Sequence, residues 1–159
     1  MRVRIGQTFV RVVRTHPPDL FDAYGFVVIG HESDSLYGSV VARNESHYLR
    51  VTLDPRERVI SANLGRLVEG LVPPVSIVPP KTVERVTEIP SIVILWLATG
   101  NLYESDELGR FREDSEEAIS AAVGRLMDAL ARHGARLLAG DPVEWGRAAE
   151  LYVTGTPRP

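Results

Sequence analysis

Phe9, Val12 and Val13 fall at helical spacing within residues 5–14, so a helix is predicted there, although three β-branched valines weaken the propensity. Pro17-Pro18-Asp19 opens a second, shorter helix, because proline suits a first turn whose N–H groups have no partner. Leu20, Phe21 and Tyr24 form its apolar side, and Gly25 is its C-terminal stop. From Phe26 the period changes to two. Residues 26–29 read as a strand ended by the polar turn His31-Glu32-Ser33-Asp34, and a second strand runs near 36–42 before the turn at 43–46. In the third strand Leu49, Val51 and Leu53 alternate with Tyr48, Arg50 and Thr52, the pattern of a half-buried antiparallel strand. Asp54-Pro55-Arg56-Glu57 then turns the chain into a fourth, with Ile60, Ala62 and Leu64 inward against Val59, Ser61 and Asn63. Short strands joined by short polar turns make a meander.

Pro73, Pro74, Pro79 and Pro80 exclude a central strand, so residues 65–87 are expected to be irregular, with one edge strand at 83–86. The apolar run 92–98 fits helix or strand by periodicity alone, and Pro90 before it and Gly100 after it favour a buried helix. Asp114-Ser115-Glu116-Glu117 carries a capping pattern. Ile119, Val123, Leu126, Leu130 and Leu137 follow along one face of a helix over 114–138, with Gly134 as a kink. Gly140 ends that helix, and Asp141-Pro142-Val143-Glu144 starts the last one with cap, proline and returning Glu in register. The expected fold is α+β: an antiparallel meander of about four strands with helices packed on one face. The stripe of helix 114–138 is expected on the sheet face of Leu49, Val51 and Leu53, and Trp96 and Trp145 as core anchors. Residues 1–153 read as a single domain and 154–159 as a frayed tail.

Composition changes this picture little. The chain has 159 residues, 44% hydrophobic and 25% charged, which is ordinary for one globular domain. A net charge of −3 argues against a general affinity for nucleic acid. The charge is uneven, +2 over residues 1–66 and −5 over 67–159. With no cysteine, thiolate chemistry and Cys-ligated zinc are excluded. No apolar run reaches the ~20 residues of a membrane span, and the first eight residues lack the apolar core of a signal peptide, so a cytoplasmic protein is expected.

Catalytic signatures are absent. Gly65 and Gly70 have the spacing of a phosphate loop, but Leu71-Val72 stand where Lys-Ser/Thr would grip phosphate and magnesium. His16, His31, His47 and His133 have no ligand spacing, so neither metal nor cofactor is expected. Asp141 is explained by capping. The most distinctive local feature is the acidic segment 104–117, with seven acids against Arg110 and Arg112. It reads either as a solvated loop with an acid-rich first helical turn, or as a negative patch that docks a basic protein through Glu104, Asp106, Glu107 and Glu113. Tyr48 and Arg50, with Thr52 and Tyr37, likewise read either as an ordinary outward strand face or as interface anchors.

Tyr24-Gly25-Phe26, then Leu49-Arg50-Val51, Asp54-Pro55-Arg56, Ser61-Ala62-Asn63-Leu64-Gly65 and Leu137-Leu138-Ala139-Gly140-Asp141 follow one another in an order that resembles a group of small actinobacterial proteins of uncharacterised function, some of them assigned as immunity proteins of polymorphic toxin systems. The resemblance spans about residues 9–145 and carries over no catalytic residue. With the absence of a catalytic signature and the acidic excess of the second half, it points to a non-enzymatic, toxin-neutralising protein; on the charge and sheet-face readings above, the acidic loop would cover a basic toxin domain, with Tyr48 and Arg50 supplying buried contacts. The alternative is a small-molecule-binding protein or enzyme with a pocket between sheet and helices, lined by Tyr24, His47, Tyr48 or Arg50. A structural subunit of a larger assembly is a third reading.

Overall fold

Three aspartate and asparagine side chains set the turns of the meander. In the computed structural model, which describes residues 3–76 and 78–155, Asp34 Oδ1 accepts the N–H groups of Leu36 and Tyr37 at 2.8 and 2.7 Å. Asn44 Oδ1 accepts those of Ser46 and His47 at 3.0 and 2.8 Å, and Asp54 Oδ1 those of Arg56 and Glu57 at 2.8 and 3.3 Å. Each carboxyl or amide oxygen takes the place of a backbone carbonyl and closes the turn locally.

The strands so joined are β1 (Val27–Ser33), β2 (Gly38–Arg43), β3 (His47–Asp54) and β4 (Val59–Arg66), preceded by α1 (Ile5–Thr15) and α2 (Asp19–Tyr24). A 3-10 turn at Val83–Arg85 leads to β5 (Glu88–Pro90), and the rest is helical: α3 (Ser91–Thr99), α4 (Glu104–Gly109), α5 (Glu116–His133), α6 (Ala135–Leu138) and α7 (Pro142–Thr154). The fold is α+β, an open antiparallel sheet in the order β1-β2-β3-β4-β5. Rows Val40–Val51–Ala62 and Ala42–Leu49–Leu64–Ile89 run across the strands and bury one face of the sheet. They join Phe9 and Val13 of α1, Ile94 and Leu95 of α3, Ile119 and Leu126 of α5, and Trp145 of α7 in one apolar cluster.

Several expectations are corrected. The edge strand lies at Glu88–Pro90, not 83–86, because there the chain returns beside Asn63–Gly65, and Val83–Arg85 coils into the 3-10 turn instead. β1 runs on through His31 and Glu32, since a bulge between Val28 and Gly30 absorbs the change of register and the turn is deferred to Asp34. Residues 104–109 form the helix α4, not a loop. The helix over 114–138 breaks at Gly134 into α5 and α6, and α5 packs chiefly on α1, α3 and α4, touching the sheet at β4. The run after Pro90 is a helix, closed at Gly100 in the left-handed region (φ 74°). Trp145 is a core residue, whereas Trp96 is half-buried and outside the core cluster. Thr154 still belongs to α7 and Gly155 caps it, while the rest of the expected tail, 156–159, lies outside the described residues.

The two sheet edges are unlike. On the far side the sheet ends in β5, three residues long with Pro90 unable to donate, and the flank of β4 that β5 leaves open is covered. Arg66 N–H donates to Thr87, β5 pairs at 63–65, Ala62 N–H donates to Ser91 Oγ at 3.1 Å, and Arg110 and Phe111 pair beside Val59 and Arg58. The outer edge of β1 accepts no backbone hydrogen bond among the described residues, and its Val27 and Ile29 are 66% and 54% exposed.

Candidate functional site

Across the sheet face opposite the apolar rows, register sets Arg43, Tyr48, Gly65 and Glu88 in one line, and Val41, Arg50, Asn63 and Pro90 in the next. Gly65 offers no side chain, so the Tyr48 ring lies down on it, and a Cβ there would overlap the ring. Tyr48 is therefore fully buried instead of projecting outward as its strand alternation predicts. Its hydroxyl donates to Glu88 Oε2 at 2.8 Å. Arg50 Nε donates to Glu88 Oε1 at 3.4 Å, and Asn63 Nδ2 to the same oxygen at 2.8 Å. The Arg50 and Glu88 side chains are only 15% and 18% exposed, so the pair is shielded far more than a surface ion pair. Burial, followed by the Glu88 carboxylate that it bonds, holds the Tyr48 phenol well above the ordinary tyrosine range, so it remains a donor.

The acidic residues behave differently. Glu104 and Asp106 are half-buried on α4, and Glu104 Oε2 accepts Asn101 Nδ2 at 3.1 Å. Glu107 and Glu113 are exposed. Of the other acids in the segment, Asp114 takes Arg58 through two oxygens at 2.8 and 3.2 Å, and Glu116 meets Arg11 at 3.5 Å. The segment is thus partly neutralised by arginines from β4's turn and from α1. No hydrogen bond or ion pair joins these acids to Tyr48 or Arg50 among the described residues: they flank the β4 edge, while Tyr48 and Arg50 rise toward Glu88. The two halves of the sequence-predicted binding site are not assembled into one. Glu88 is the residue that sequence reasoning missed.

A second cluster sits where β3, β4 and α7 meet. His47 is 8% exposed, its Nδ1 lies 2.7 Å from Ser46 Oγ, and its ring stands 6.2 Å from that of Trp145. The Arg66 guanidinium stacks over Trp145 at 4.1 Å from the ring centre. Burial first, then the Arg66 charge, lowers the His47 pKa, so the folded chain prefers the neutral ring. The unfolded chain then takes up this proton first. His47 should contribute stability that is complete above the ordinary histidine value of about 6.5 and is lost as pH falls below it. Denaturant unfolding at pH 7.5 and pH 5 should show a fall in stability that His47→Gln reduces; an unchanged pH slope in the variant would refute the assignment.

Two of the surface concavities bear on a pocket reading. One, of about 940 Å³, lies among Arg4, Gln7, Arg11, Leu36 and Glu116. The other, of about 810 Å³, lies between the proline-rich connection, β5 and the end of α7. The second lies between β5 of the sheet and α7, and neither is lined by Tyr24, His47, Tyr48 or Arg50, the residues the alternative reading named. Among the described residues no three acids or histidines are gathered in a way that could hold a metal ion, and no helix is long and apolar enough to cross a membrane. Comparison with protein-family models, with curated proteins and with solved structures finds no match.

Proposed function

We propose that the chain is a non-enzymatic protein-binding protein of the toxin-neutralising kind, which engages its partner through the β1 edge and the sheet face beside it. The observation that carries this reading is the asymmetry of the edges: the far one is the three-residue, proline-ended β5, while the seven-residue β1 presents free backbone groups together with Val27 and Ile29. A free edge is a template on which a partner's extended segment adds as a further strand, main-chain bonds giving affinity and flanking side chains selectivity. The adjoining face is built of short or tethered groups, Val41, Arg50, Thr52 and Ser61, all half-buried. Exposed acids at Glu107 and Glu113 and a net charge of −3 fit a basic partner, and act on encounter rate more than on affinity.

The test is capture from a lysate of the source organism, comparing the wild-type chain with the Val27→Lys/Ile29→Lys double variant and with Glu107→Gln/Glu113→Gln. Both pairs are exposed, so folding should be unaffected. A stoichiometric partner that the strand variant loses, and that the acid variant binds more slowly at low salt, is expected. A partner held equally by the strand variant, or no partner at all, would overturn the reading.

A further inference from the structure

Glu88 is more than a clasp for three donors. Its Oε1 accepts two hydrogen bonds, from Arg50 and Asn63, but Oε2 accepts one, from Tyr48. A carboxylate has about four lone-pair sites, so Oε2 keeps one, and Glu88 lines the concavity of about 810 Å³ described above. That volume is within the ~300–1,000 Å³ of small-molecule sites. Pro74, Val75, Val78 and Pro79 of the connection, with Pro90 opposite, give it apolar walls. Tyr152 of α7 enters beside Glu88, and its hydroxyl has no hydrogen-bond partner among the described residues. Lys81 and Arg85 are exposed at the same concavity, and neither is paired with an acid among the described residues. The Arg50 charge already balances that of Glu88, so the lining as a whole is positive and also holds a free hydrogen-bond acceptor.

We propose that this groove binds a small apolar zwitterion, a free amino acid or short peptide with both termini charged. The ammonium group donates to Glu88 Oε2, the carboxylate meets Lys81 and Arg85, and the apolar side chains lie against the proline and valine walls. A simple anion would leave the free lone pair of Glu88 facing it, and a simple cation would meet two uncompensated positive charges. A zwitterion satisfies both ends. The inference does not depend on the protein-binding reading, since it uses no residue of the β1 edge.

The experiment is titration of the full chain with leucyl-leucine, followed by calorimetry and by amide chemical shifts, alongside its N-acetyl derivative and its C-terminal amide. Free leucyl-leucine should bind and shift the amides of Thr87 and Glu88, while both blocked forms bind about tenfold or more weaker, each having lost one charged contact. The Lys81→Gln/Arg85→Gln variant, which breaks no side-chain hydrogen bond or ion pair among the described residues, should bind the free peptide about tenfold more weakly and no longer distinguish it from its amide. Absence of binding to the free peptide, or equal binding of the blocked forms, would overturn the proposal. So would an affinity unchanged by the double variant.

Discussion

Replacing Glu88 by leucine should lower the stability of the chain by about 3 kcal/mol, the lower end of the cost of breaking a shielded ion pair by removing one partner. The loss arises in the folded state, where Tyr48, Arg50 and Asn63 all donate to this one carboxylate. Without it Arg50, 15% exposed, keeps a charge that water reaches poorly, and the buried Tyr48 hydroxyl has no acceptor. Tyr48→Phe alone should cost about 1 kcal/mol, and in the Glu88→Leu background it should cost nothing or restore stability, because the orphaned hydroxyl is gone. Denaturant midpoints at pH 7 for the two single variants and the double variant decide the matter. Additive losses would mean that the hydroxyl and the carboxylate stabilise the sheet independently.

A methyl group at position 109 should do still more damage. Gly109 ends α4 against the Ile60 carbonyl, and a Cβ placed there would overlap that oxygen and approach the carbonyl carbon and amide of the same residue. Both sides of the contact are backbone, so no rotamer relieves it, and α4 must lift from the β4 edge. We expect Gly109→Ala to cost more than about 3 kcal/mol and to expose the Arg110–Val59 pairing to hydrogen exchange. The same substitution at Gly146, within α7 and with nothing near its Cβ position, should stabilise the chain by up to about 1 kcal/mol, since only the helix propensity changes. Opposite signs for one chemical change would separate crowding from propensity. A mild effect at Gly109 would show that α4 is not held at that distance.

The features legible in the sequence are those whose chemistry is local. Asp141 caps α7 by accepting Val143 and Glu144 N–H groups, Ser115 caps α5 through Ala118, and Gly25 closes α2 in the left-handed region, each within a few residues of its partner. Features that depend on distant strands were less accessible. Tyr48 alternates as an outward residue, and its burial rests on Gly65 in the next strand and on Glu88 forty residues on. Part of that signal is present in the chain: the tight turn after Asp54 fixes the β3–β4 register and sets Tyr48 opposite Gly65. A large ring facing a glycine is expected to fold down over it. The arrival of Glu88 carries no such signal, because the connection from β4 is long and β5 is a three-residue strand ending in proline. The acidic segment was legible as charge. Its pairing with Arg58 and Arg11 was not, since those arginines come from other elements.

The covered edge of β4 also limits how copies of this chain can meet. Head-to-tail stacking of sheets needs two different long edges, and here the flank of β4 is taken by Thr87, Ser91, Arg110 and Phe111, while the edge beyond it is the three-residue, proline-ended β5. The longest run of strand pairing open between copies is therefore β1 meeting β1, a two-fold arrangement that uses up both long free edges at once. The same apolar edge that is open to a partner thus favours closed pairs over head-to-tail chains of sheets.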